Sequence, residues 1–193
     1  MNPSQRKQLY LASSSPRRAE LLAQIGVDFE QLFVDVDEKR KNRESVTEYV
    51  ARLAFEKATA GHQLALDKNI PVLGADTIVY IAGEILGKPQ NLNEATRMLR
   101  LLSGQTHQVL TAVALVNASK QRQIVQSSSV TMRDISDNEI EAYWQTGEPH
   151  DKAGSYAIQG KAAIYISHIE GSYSGVMGLP VFETASLLKE YGI

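Results

Sequence analysis

Val72-Leu-Gly-Ala-Asp-Thr-Ile-Val-Tyr-Ile81 is the stretch whose reading decides the fold. Its short length and β-branched content mark a buried strand, not a helix. One acid, Asp76, stands where its neighbours are apolar. A carboxylate inside such a run loses hydration unless a cation or hydrogen-bond donors meet it. Gly74 and Ala75 leave room for the close approach of a ligand. A turn or capping aspartate is the alternative. It weakens because the rest of the chain supplies the cations and further acids that such a site needs.

Upstream, Leu9–Ala12 is a short apolar run and the expected first strand. Ser13-Ser-Ser-Pro-Arg-Arg18 follows, then Ala19–Ile25 at helical spacing, stopped by Gly26. The serines are N-cap candidates and Pro16 suits a first helical turn. A strand, a hydroxyl-rich turn and a helix start beside Arg17 and Arg18 favour a phosphate; a plain capping motif with solvated arginines is the other reading. Phe29–Val36 reads as a second strand running into Asp37-Glu38 and a basic run from Lys39 to Arg43. Paired acids at a strand end are able to hold Mg²⁺, although charge runs more often face water. Ser45 with Glu48 forms a capping box for a helix to about Leu66. Val46, Tyr49, Val50, Leu53, Ala54 and Lys57 share one side of it. Lys57 is the unusual member, a snorkelling lysine in the bland reading.

Downstream of the central strand, Gly83-Glu84 is a hairpin turn toward Lys88, which either returns to the same cleft or lies on the surface. Asn93–Leu102 is a helix, Gln105–Val116 and Ile124–Met132 are strands joined by an Asn117–Gln123 turn, and Ser136–Glu139 caps a helix to about Gln145. Asp151–Gly160 has loop composition with little hydrophobic purpose of its own. A strand at Ala162–Ile169, a Gly-rich connection at Gly171–Pro180 and a closing helix at Val181–Tyr191 complete the reading. Strands, helices and hairpins in this mixture argue an α/β fold with a mixed central sheet flanked by helices.

The 193 residues suit one domain, or two lobes sharing a sheet; the expectation is a single domain over 1–193. A net charge of −2 leaves no footprint for duplex nucleic acid. The absence of Cys excludes disulfides, thiolate catalysis and Cys-based zinc sites. His62, His107, His150 and His168 form no pair at metal-ligand spacing. No signal peptide is visible in the polar Met1–Gln8, and no run approaches a membrane span, so the cytoplasm is the expected compartment.

Together these pieces resemble the Maf family of nucleoside triphosphate pyrophosphatases, from about Leu9 to Tyr191. The marks are Leu11-Ala-Ser-Ser-Ser-Pro-Arg-Arg18, Gly74-Ala-Asp-Thr77, Gly87-Lys-Pro89, Leu102-Ser-Gly-Gln-Thr-His107, Asp151-Lys-Ala-Gly154 with Ile158-Gln-Gly160, and Val176-Met-Gly-Leu-Pro180. Each alone is weak, but their order and spacing are specific. The resemblance implies a cytoplasmic, metal-dependent enzyme that cleaves between the α- and β-phosphates and releases a monophosphate and pyrophosphate. It implies an elongated, two-lobed Maf/ITPase-like fold with a cleft between lobes, and a homodimer. Arg17, Thr77 and Gln159 fit the dTTP/UTP subgroup. The sister subgroup acting on 7-methyl-GTP looks like Pro-Trp-Arg, Ser-Asp-Gln and Ser-Glu-Gly, none of which stands at those places.

Residue by residue, the resemblance makes Asp76 the proton acceptor, and Ser13 and Arg18 the phosphate-binding turn. Lys57 and Lys88 are lysines of the cleft. Glu38, or Asp37 beside it, is the metal-side acid, with Asp76, for Mg²⁺ or Mn²⁺. Thr77, Gln159 and Arg17 offer donors and an acceptor to a pyrimidine edge. The family is also associated with inhibition of septum formation. A non-catalytic, nucleotide-binding regulator of cell division is therefore the rival expectation.

Overall fold

A computed structural model of the chain describes residues 7–193, so Met1–Arg6 of the polar lead lie outside the described residues. In chain order the elements are β1 (Leu9–Ala12), α1 (Pro16–Gln24), β2 (Phe29–Leu32), α2 (Val46–Leu64), β3 (Val72–Ile81), β4 (Glu84–Leu86), α3 (Leu92–Leu102), β5 (Thr106–Val116), β6 (Gln121–Met132), α4 (Asp137–Trp144), β7 (Ile166–Glu170), α5 (Tyr173–Met177) and α6 (Val181–Lys189). Three 3₁₀ turns lie between α4 and β7. The strands form one mixed sheet in the order β2-β1-β3-β5-β6-β7, with β4 paired to β3. β1 runs parallel to both β2 and β3, whereas the β3–β4 and β6–β7 pairs are antiparallel. The α/β class expected from the sequence is the class found.

The chain divides into two compact units. One holds the described residues up to Asp76 together with Thr111–Gln126 and Gly178–Ile193; the other holds Thr77–Leu110 and Ser127–Met177. In the first, Tyr10, Ala12, Ala65 and Val72 pack with Leu32, Val34 and Ile70. In the second, a larger core gathers apolar side chains of β3, α3, β6 and α4, including Val79, Met98, Leu99, Val130 and Ile140.

Both expected capping boxes are present, Ser45 with Glu48 at α2 and Ser136 with Glu139 at α4. Other expectations need correction. The second strand ends at Leu32, not Val36, because β1 ends at Ala12 and its register with β2 stops at the Ala12–Leu32 pair. The turn after β5 is shorter than Asn117–Gln123, since Asn117 Oδ1 accepts the Ser119 and Lys120 amides and β6 starts at Gln121. Lys161–Tyr165 is a 3₁₀ turn, so β7 begins only at Ile166. The Gly171–Pro180 connection contains α5. The Asp151–Gly160 stretch has a hydrophobic purpose after all: Tyr156 and Ile158 are core members, and Gly154 (φ +69°) leaves only Val79 methyls where a side chain would stand.

His107 is buried in the second unit, with Nε2 2.8 Å from Tyr156 Oη and the two rings edge to face. Its Nδ1 is buried without a hydrogen-bond partner among the described residues. Burial holds its pKa down to about 4, against 6.5 for an ordinary histidine. The unfolded chain therefore binds a proton that the folded chain refuses. This contribution to stability is complete above the unfolded pKa and is lost as pH falls toward the folded one, an effect of about 3 kcal/mol. His107→Gln should flatten that part of the stability curve, as measured by urea melts at about pH 7 and about pH 5.

Candidate active site

Two glycines set the geometry. A Cβ on Gly61 would meet Ala12 Cβ and Val72 Cγ1, both at 2.8 Å. One on Gly74 would meet Ala54 O and Ala58 N, both at 2.4 Å. Bare backbone at these positions lets α2 lie directly on β1 and β3. Side chains alternate along a strand, so Asp76 lies on the same face as the missing Cβ of Gly74, toward α2. Lys57 stands one residue before Ala58 on that helix and meets it: Lys57 Nζ donates to Asp76 Oδ1 at 2.6 Å. The same ammonium is 2.7 Å from Glu38 Oε1. Asp76 is 7% exposed, and its burial pushes the carboxyl above the ordinary aspartate range although Lys57 and Arg18 pull it down.

The Ser13–Arg18 turn adds a second cation. Arg18 Nη1 donates to Ser13 Oγ at 3.2 Å and Arg18 Nε to Gly178 O at 2.9 Å. Ser13 is buried, its Oγ accepts the Ser15 amide, and its carbonyl accepts Gln31 Nε2. Burial lowers the pKa of Arg18, while the charges of Asp76 and Glu38 raise it. Ser15 occupies the N-cap of α1 but makes no side-chain capping bond, and the first turn carries no acid. α2, α3 and α4 are all capped by a side chain. A plain capping motif therefore does not account for the serines. The positive end of the α1 dipole favours an anion at this helix start. Arg17 sits partly buried in the same first turn.

Glu38 comes from the exposed segment after β2 and depends on α2 for its place. Tyr49 Oη donates to Glu38 O at 2.7 Å. Arg52 reaches Lys39 O at 3.1 Å and Glu44 Oε1 at 2.5 Å, and its Nη1 donates to Glu56 Oε2 at 2.9 Å. Glu44, gripped by Arg52, is held down to about 2. Asp37 Oδ1 accepts the Lys39 amide at 3.0 Å and the residue is exposed. Among the described residues no group of three or more His, Asp or Glu stands at metal-ligand spacing.

The structure thus brings Ser13, Arg18, Glu38, Lys57 and Asp76 together in the first unit. Thr77, Lys88 and Gln159 belong to the second. Thr77 follows Asp76 on β3 and is half-buried; Lys88 and Gln159 are exposed. Their two segments are joined there, since Gly154 N donates to Gly87 O at 3.0 Å. Leu102–His107 supports the fold: Gly104 N donates to Arg133 O, and Ser103 Oγ accepts the Ile135 amide. Sequence reasoning missed Tyr49 and Arg52 as holders of the Glu38 segment. Tyr49 reads as one more apolar-face residue, and only the aromatic hydroxyl and the nearby acid run hint otherwise.

The profile of a family described as Maf-like protein matches residues 8–191. A protein of Pseudoalteromonas atlantica is 52% identical over 187 residues, covering 96% of this chain and 97% of its own. A protein of Alkalilimnicola ehrlichii is 50% identical over 197 residues, covering 100% and 97%. One from Escherichia coli O157:H7 is 51% identical over 183 residues, covering 95% and 92%. Each of the three bears the name dTTP/UTP pyrophosphatase.

Proposed function

The chain belongs to the Maf family, and from that premise we propose that it hydrolyses dTTP and UTP to the monophosphate and pyrophosphate. The observation that carries this reading is the Lys57 ammonium set between Glu38 and the buried Asp76, with Arg18 in the first turn of α1. That arrangement offers two carboxylates and several donors to a polyphosphate. The relatives' shared name supplies the substrate class.

Two carboxylates already sharing one cation fit a hard divalent ion that completes its oxygen shell with substrate phosphates. Glu38 and Asp76 would hold Mg²⁺ or Mn²⁺, which when bound neutralises charge on the phosphates. Asp37 is the weaker candidate, since its carboxylate serves the Lys39 amide. The chain's own groups do the rest. Asp76 orients a water and accepts its proton as the oxygen attacks the α-phosphorus. Arg18, Ser13 and the α1 amides hold phosphate oxygens; Lys57 and Lys88 offset the charge of the pyrophosphate leaving group. Thr77, Gln159 and Arg17 are assigned to the base, where unpaired polar groups penalise the wrong one. The compartment that fits a soluble nucleotide substrate is the cytoplasm, and among the described residues no helix is long and apolar enough to cross a membrane.

Pyrophosphate release from a panel of nucleoside triphosphates with Mg²⁺ or Mn²⁺ tests the reading. Rapid release from dTTP and UTP, and little from ATP or GTP, is expected. A purine triphosphate turned over as fast as dTTP would remove the base assignments. Tight dTTP binding without release would make the chain a nucleotide-binding regulator instead.

A further inference from the structure

Gln159 is exposed on a short loop between Ala157 and Lys161, and such loops do not hold a side chain in place unaided. Here both ends of the loop converge on one carboxylate. Ala157 N donates to Tyr143 Oη at 3.2 Å, and Tyr143 Oη donates to Glu148 Oε1 at 2.6 Å. From the other end, Lys161 N donates to Glu148 Oε2 at 2.9 Å and Ala162 N to Glu148 Oε1 at 3.4 Å. The loop closes on itself through Gly160 N to Ala157 O at 3.0 Å. A Cβ on Gly160 would lie 2.3–2.4 Å from the Glu148 carboxylate, so the glycine gives that carboxylate its place against the loop.

This arrangement exceeds what capping requires. A 3₁₀ turn at Lys161–Tyr165 needs an acceptor for its first amides, and water or a local Ser, Thr or Asn serves that purpose. Glu148 instead comes from 13 residues upstream, and it is oriented by a hydroxyl that also fixes the far end of the loop. Tyr143 is itself anchored in the core, edge to face with Tyr165. Gln159 therefore projects from a peptide segment fixed at Ala157 and at Lys161, with its backbone freedom largely removed.

We propose that Glu148, acting with Tyr143, is a positioning residue for base selection: it fixes the Gln159 loop and thereby sets the preference for pyrimidine over purine nucleotides. The inference rests on the proposed role of Gln159. A fixed amide pairs with one pattern of donors and acceptors; a loop free to move adapts to several. Loss of the anchor should therefore lower discrimination more than it lowers the chemical step.

The test compares dTTP with GTP in both kcat/KM and Kd, for proteins confirmed as folded by thermal melts. Glu148→Ala should reduce the dTTP-over-GTP ratio by about 10-fold or more, mainly through KM. Glu148→Gln, which keeps one acceptor oxygen where the carboxylate has two, should hold only part of this network and restore the ratio only in part. Gly160→Ala leaves Glu148 chemically intact but puts a methyl group where the carboxylate lies, and should reproduce the Glu148→Ala ratio. In a Gln159→Ala background, Glu148→Ala should change the ratio no further. The proposal is overturned if Glu148→Ala and Gly160→Ala slow all nucleotides equally, or if the Glu148 and Gln159 effects on the ratio add. A wild type that releases no pyrophosphate from dTTP would fail the functional reading instead; the Kd ratios would still decide the role of Glu148.

Discussion

Replacing Asp76 with asparagine should lower dTTP turnover by about 10²-fold or more, in line with loss of a general base, and should leave the fold intact. The two halves of this expectation come from the same geometry. A free aspartate titrates near ~4 and is a weak base. Burial in β3 pushes Asp76 upward from there, which makes it a stronger base than a free aspartate. Asparagine keeps the shape and still accepts the Lys57 ammonium through its oxygen, but it takes no proton and offers a metal no charge. The charge that was costly to bury is gone, but Lys57 and Arg18 lose its compensation, so the melting midpoint should stay close to that of the wild type. Pyrophosphate release at saturating dTTP, beside a thermal melt, reads both halves. A variant that keeps most of the wild-type rate removes the base assignment. One that loses its fold makes Asp76 a structural acid.

What the sequence shows of this site follows from where its signals are local. Asp76 is legible because an acid interrupts an apolar strand, and Lys57 because a cation stands on the apolar side of a helix. Ser45 and Ser136 are legible as caps because their glutamate partners lie three residues away. The misread parts depend on distant partners. Phe29–Val36 has the apolar and β-branched content of a strand, yet its end is set by the length of β1, which the segment itself does not encode. Lys161–Tyr165 has strand composition, but Glu148 supplies acceptors that stabilise a 3₁₀ turn. Tyr156 and Ile158 look like loop residues until Val79 and α3 are seen to enclose them. Glu148 itself lies in Gly147-Glu-Pro149, which reads as an ordinary turn. Nothing near it in sequence announces that Tyr143, Gly160 and Lys161 meet there.

Lys57→Met should cost about 10²-fold or more in dTTP turnover with a stability loss smaller than that of a typical broken buried ion pair. Methionine retains an apolar stem of similar reach, so the ammonium is the main group lost. Two carboxylates then face each other with Arg18 as the remaining cation of the cluster. Removing one partner of a buried pair typically destabilises by about 3–5 kcal/mol because the other charge is left uncompensated. Here the cost should stay below that range. The Glu38 side chain is 61% exposed and regains water, and Asp76 escapes its burden by binding a proton. A protonated Asp76 is no longer a base, so part of the rate loss is an Asp76 defect reached indirectly. The double variant decides the matter. If Lys57 acts partly through Asp76, Lys57→Met with Asp76→Asn should be slower than Asp76→Asn alone by less than the single Lys57→Met factor. Fully multiplicative losses would show instead that Lys57 serves the phosphates alone, and that its contact with Asp76 contributes nothing to the chemistry.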